Sequence, residues 1–181
     1  MSDCLPFWCC ERFGSEEAVR GAEGGSVSYS ELLSLADQYV SACPPRRLVA
    51  IRCTPSPTSL AVYLGCLRKR IVPLLLDRDL PADQAAEVAQ RFQVAAIWDE
   101  CHGWQSTHLS SPELHPDLAV LLLTSGSTGR PRCVRLSYTN LDSNAQTISA
   151  YLELTPADRP LLTLPWSSAF GLSIVHSHWA V

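Results

Sequence analysis

No stretch of this chain approaches the roughly 18 to 20 consecutive apolar residues that cross a bilayer, so no membrane span is expected. The first residues, MSDCLPFWCCERF, carry no basic region, and their apolar patch is too short for a secretory leader. Basic charge is not in excess either. A net charge of −4 and an isoelectric point near 5.7 argue against a nucleic-acid partner. There is no internal repeat and no low-complexity tract. The eight cysteines include no CxxC pair, and several sit in apolar segments such as AVYLGCL. Free thiols that behave as small hydrophobes are therefore expected, and the cytoplasm as the address.

What is present suffices for a domain with its own core: 181 residues, 46% hydrophobic and 18% charged. Leu32, Leu35, Ala36 and Tyr39 form a helical stripe within 26–42, with Ser28 or Ser30 as N-cap and Pro44–Pro45 as the stop. LVAIRC (48–53) reads as a buried strand. Ser56–Pro57 opens a helix with Leu60, Ala61, Leu64 and Leu67 on one face. IVPLLL (71–76) is a second strand, in which Pro73 predicts an edge position or a bulge. A helix from Pro81, a strand over 94–98, a looser histidine-rich region over 100–117 and the strand LAVLLL (118–123) follow. CVRLS and PLLTL (160–164) read as short strands around a helix over 138–152 capped by Ser137, and FGLSIVHSHWAV starts a last helix. Strands alternating with helices predict an α/β fold whose sheet is mainly parallel and flanked by helices.

The apolar strand runs into TSGSTGRPRC (124–133). A phosphate needs close backbone approach, hydroxyl or N–H donors, and a cation. Gly126 and Gly129 permit the approach, and Thr124, Ser125, Ser127 and Thr128 supply hydroxyls. Arg132, with Arg130, supplies charge, and Pro131 stiffens the exit. It is not a Walker loop, because no lysine follows either glycine. On its own the loop also fits an exposed polar turn.

The string T-S-G-S-T-G-x-P-R resembles the phosphate loop of the adenylate-forming, AMP-binding superfamily: acyl-CoA synthetases, adenylation domains of nonribosomal peptide synthetases, and luciferases. VSYSELLSLA (27–36), the segment 49–77 and LTLPWSSAFGLS (162–173) resemble further family segments in the same order. The resemblance covers residues 26–181, read as part of an AMP-binding domain behind an N-terminal extension, 1–25. It implies that Thr124 to Gly129 and Arg132 bind the β- and γ-phosphates of ATP with magnesium. A carboxylic acid would then be converted to acyl-AMP and passed to a thiol of coenzyme A or a carrier-protein pantetheine. It places Trp166, Ser168, Phe170 and Gly171 beside the acyl substrate.

Five positions depart from the family pattern: Arg70 and Cys133 replace glycines, Arg132 a lysine, Tyr138 a histidine, and Ser168 a histidine or aromatic. The family's adenine, ribose and magnesium ligands and its mobile C-terminal domain would lie beyond this chain. The resemblance therefore implies an N-terminal portion of such a ligase, truncated on its C-terminal side and incomplete alone. Its missing part would be supplied in cis or in trans. A non-catalytic nucleotide-binding or interaction module, such as a shortened isoform, is the alternative expectation. The final helix shows no closing cap, glycine or proline, and its apolar end is expected to be exposed.

The remaining candidates are weaker. His176 and His178 are two apart, about 200° around a helix, and read as core or surface histidines, not ligands. His102, His108 and His115 lie near Cys101 and Asp99 at spacings too irregular for a zinc site. Ser125 and Ser127 lack the G-x-S-x-G elbow of a nucleophile. No metal ligand is assigned.

Overall fold

The structure is a computed structural model, and it describes residues 6–21, 24–124 and 132–181. A 3₁₀ turn at Cys10–Phe13 precedes a small antiparallel hairpin of β1 (Glu17–Arg20) and β2 (Ser26–Ser28). The main sheet comprises β3 (Leu48–Cys53), β4 (Val72–Asp77), β5 (Ala96–Asp99), β6 (Gly103–Ser106), β7 (Leu118–Thr124) and β8 (Arg132–Ser137). Its order is β6-β5-β3-β4-β7-β8. The three inner pairings are parallel, and β6 and β8 close the edges antiparallel. The expected α/β architecture with a mainly parallel sheet is thus present.

The helices are α1 (Tyr29–Val40), α2 (Pro57–Arg68), α3 (Ala82–Phe92), α4 (Tyr138–Tyr151) and α5 (Ala169–Trp179). Their starts are set by local chemistry. Ser28 caps α1 in a reciprocal box with Glu31, Ser56 accepts from the Ser59 amide at 3.1 Å, and Ser137 forms the same box with Asn140.

The period-two alternation of the strands separates two cores. Val49, Ile51 and Leu75 face the layer built by α1, α2, α4 and α5, whereas Leu48, Ala50, Leu74 and Leu76 face α3. Gly65 lets α2 close on α1, since a Cβ there would collide with the Ala36 carbonyl. Residues ahead of the hairpin join the larger core: Phe7 and Cys10 are fully buried, and Phe7 stacks on the His176 ring at 4.2 Å.

Four expectations need correction. Pro73 lies in a central strand, paired in register with Val49 and without a bulge. Successive amides in a strand point to opposite neighbours. The Val72 amide reaches back to Arg47 O at 2.9 Å, which aims position 73 toward β7, and the β4–β7 ladder begins only at Leu74. The missing N–H therefore has no partner to lose.

Residues 160–164 form no strand. Pro160 and Pro165 bracket them, the Thr163 amide turns back to Leu161 O, and Leu161 is 80% exposed. The looser region 100–117 contains β6, which turns directly off β5 through Gly103 at φ +66°. Finally, the apolar end is packed. Leu172, Val175, His176 and Trp179 are buried, and Arg12 from the N-terminal segment donates to Ala180 O at 2.8 Å, closing the last helix from far away in sequence.

Candidate functional site

Because β3, β4 and β7 are parallel, Cys53, Asp77 and Thr124 all end at one edge of the sheet. Ligands of open α/β sheets bind outside this carboxyl edge. The β7–β8 hairpin opens there. Thr124 and Arg132 are directly paired across its neck, and the Thr124 hydroxyl donates to Arg132 O at 3.3 Å. Both residues are exposed. Ser125, Gly126, Ser127, Thr128 and Gly129, together with Arg130 and Pro131, lie outside the described residues. The hairpin therefore fixes both ends of the expected phosphate loop at the carboxyl edge, with one guanidinium at its exit.

Cys133, next to Arg132, is half-buried beside Phe92 and Leu121. Burial pushes its thiol up to about 11, only partly offset by the Arg91 guanidinium. Burial thus disfavours its thiolate, the reactive form of cysteine.

The segment expected to line the acyl pocket reaches the same edge. Trp166 Nε1 donates to the carbonyl of Thr54, just past β3, at 2.7 Å. The Trp166 ring is fully buried on Tyr63, with ring centroids 5.5 Å apart. Ser168 is the N-cap of α5: its hydroxyl accepts from the Gly171 amide at 3.2 Å and donates to Pro165 O at 2.7 Å. Gly171 is buried where a Cβ would strike the Pro165 carbonyl. Phe170 alone of the four presents a large side chain to solvent, at 65% exposure. Trp166 and Gly171 thus hold the segment in place, while Ser168 and Phe170 face outward.

Two features behind this edge are not legible in any local pattern of residues. One is a buried polar contact between Tyr63 Oη and His176 Nε2 at 2.7 Å, which fastens α5 to α2. Burial alone lowers the His176 imidazole from 6.5 to about 3, so it is neutral and shares a hydrogen bond with the tyrosine hydroxyl. The other is a cavity of about 610 Å³ lined by Tyr29, Pro57, Leu60, Leu162, Val175 and Trp179. Both assemble residues more than a hundred positions apart, which no local pattern signals.

Other sequence candidates are placed as follows. His102 pairs with Asp99 at 2.9 Å on the tight turn between β5 and β6. His178 Nδ1 donates to Ile174 O on its own helix at 2.8 Å. Among the described residues no group of three or more His, Cys, Asp or Glu side chains is placed to hold a metal ion. Cys9, Cys10, Cys43, Cys53, Cys66, Cys101 and Cys133 are free thiols. No helix among the described residues is long and apolar enough to cross a membrane.

Comparison with known proteins agrees with this geometry. Residues 93–180, from the end of α3 through α5, match the family described as AMP-binding enzyme. The nonribosomal peptide synthetase otaB of Aspergillus niger is 29% identical over 191 aligned residues, covering 92% of this chain and 10% of that protein. A sulfoacetate–CoA ligase of Cupriavidus necator is 44% identical over 64 residues, 35% of this chain and 13% of its own length. Among solved structures, apo MatB from Rhodopseudomonas palustris superposes with a TM-score of 0.78 at 20% identity, over 97% of this chain and 44% of that one. The O-succinylbenzoate coenzyme A synthetase MenE of Bacillus subtilis, solved with AMP, gives 0.79 at 18% identity, over 97% and 54%. The chain spans about a tenth of the synthetase and about half of the solved ligases. Residues 93–180 are thus similar in sequence to AMP-binding enzymes, and nearly the whole chain shares the fold of part of the solved ligases.

Proposed function

We propose that residues 124–132 form a phosphate loop for ATP, serving the conversion of a carboxylic acid to its acyl-adenylate. The observation that carries this reading is the β7–β8 hairpin, which sets Thr124 and Arg132 side by side at the carboxyl edge of a parallel sheet. The intervening S-G-S-T-G offers hydroxyls and small residues suited to a polyphosphate. Arg132 offsets negative charge as pyrophosphate departs, and its planar fork suits two phosphate oxygens at once. Magnesium, when bound, would shield the phosphates, and its protein ligand is assigned to residues outside this chain.

Ser168 and Phe170 face the acyl group in this reading, with Trp166 and Gly171 fixing their helix. Residues 26–181 then form part of an AMP-binding domain, and residues 1–25 form the segment leading into it. The acceptor is a thiol, of coenzyme A or a carrier-protein pantetheine. The sulfoacetate–CoA ligase and the nonribosomal peptide synthetase among the relatives represent these two acceptor classes. The free cysteines suit a cytoplasmic location. Adenylation itself is assigned to this chain together with the rest of the fold seen in the longer relatives.

The test is Mg-ATP binding by the complete enzyme and by its Gly126→Val, Arg132→Ala double variant. Affinity is expected to fall at least about tenfold, with far-UV circular dichroism unchanged. Equal affinity would refute the loop assignment. Robust ATP–pyrophosphate exchange by the pure 181-residue chain would refute the division of labour.

A further inference from the structure

The amino edge of the sheet, opposite the phosphate loop, carries an unneutralised basic cluster. Arg46 and Arg47 end the connection from α1 to β3, and Lys69 and Arg70 open the connection from α2 to β4. Two backbone bonds lace these turns together: Arg46 N–H to Arg70 O at 2.8 Å, and Val72 N–H to Arg47 O at 2.9 Å.

The cations are held in place but not balanced. The Arg46 guanidinium donates to Leu118 O at 3.1 Å and to His115 O. Lys69 Nζ donates to Val40 O at 2.9 Å and to Ser41 O at 2.6 Å. Arg70 lies 4.1 Å over the Tyr138 ring, and Arg47 is exposed. Among the described residues none of the four makes an ion pair, whereas neighbouring Arg68 is neutralised by Glu11 and Asp37. Both Arg46 and Arg70 adopt φ +58°, a left-handed conformation that glycine takes without strain. Strained backbone that retains a charged side chain points toward use of that charge.

We propose that Arg46, Arg47, Lys69 and Arg70 form a docking surface for a short acidic segment of a partner protein. The charge balance selects this partner class. The chain totals −4, so outside these four cations it sums to −8. A nucleic acid, with one charge every few ångströms, would run off the patch into that negative field. A segment with a few carboxylates ends where the patch ends, and its charges lie within a Debye length of the four cations. Exposed Arg47 and Arg70 offer forks for carboxylates, while Arg46 and Lys69 supply fixed field. The surface is distinct from the phosphate loop and does not depend on its assignment.

The test uses fluorescein-labelled octaglutamate and the full chain at low salt, about 20 mM, read by fluorescence anisotropy. Arg47→Ala with Arg70→Gly should weaken binding at least about fivefold, glycine accepting the φ of position 70. Arg20→Ala with Arg159→Ala removes the same charge from cations already paired with Glu17 and should change binding less than about twofold. Arg47→Ala alone, at an exposed position, supplies the measurement if the double variant does not fold. The proposal is overturned if wild type does not bind, if both double variants lose affinity equally, or if Arg47→Ala leaves binding untouched. It is also overturned if a labelled octaribonucleotide binds the patch more tightly than the peptide.

Discussion

Replacing His176 by glutamine should remove a pH dependence from the stability of this protein. In the folded chain the imidazole is fully buried, stacked on Phe7 and hydrogen-bonded through Nε2 to Tyr63 Oη at 2.7 Å. Burial lowers it from 6.5 to about 3. Below pH 6.5 the unfolded chain takes up a proton that the folded chain refuses, so stability falls as pH falls toward 3 and rises again with pH. Each pH unit inside that window is worth about 1.4 kcal/mol, which makes roughly 4–5 kcal/mol over the whole window and roughly 2 kcal/mol by pH 5. Glutamine keeps an acceptor for Tyr63 but does not titrate. The assay is urea unfolding of wild type and His176→Gln at intervals from about pH 7.5 to 5. Carboxylates common to both proteins cancel in the difference. Wild type should lose roughly 2 kcal/mol relative to the variant across that range. A difference that stays flat within about 0.5 kcal/mol would refute a neutral, buried His176.

Two further substitutions probe how the candidate pocket segment is held. Trp166→Phe should cost about 1–3 kcal/mol more than Trp98→Phe in urea unfolding, although both trim a buried indole. The first leaves Thr54 O without its donor, whereas Trp98 Nε1 has no partner to lose among the described residues. Equal costs would show that the Trp166 bond does not hold the segment. Gly171→Ala should destabilise by about 1–3 kcal/mol, because its methyl meets the Pro165 carbonyl and the Trp166 backbone. A thermal melt unchanged from wild type would remove that contact from the account.

The sequence by itself determined the elements whose causes are local. Ser28, Ser56 and Ser137 cap helices because their hydroxyls reach amides three residues on. The strands over 48–53 and 118–124 alternate faces within one apolar run, and the parallel sheet follows from strands alternating with helices. The T-S-G-S-T-G string and its position after an apolar strand were legible for the same reason: they are contiguous residues. Tertiary structure alone decided the features that depend on who stands opposite. Pro73 is tolerated centrally only because β7 begins its ladder one residue later. Residues 160–164 remain outside the sheet, although their apolar composition suits a strand, with prolines at both flanks. Arg70 in place of glycine is accommodated with Tyr138, which stands where the family pattern has histidine, and the two departures meet at 4.1 Å. Trp166 is turned inward by its bond to Thr54 O and Gly171 is pressed against Pro165 O, whereas Phe170 is exposed. Local bonding needs only neighbours in sequence, whereas burial, charge balance and the closing of the last helix by Arg12 need neighbours in space.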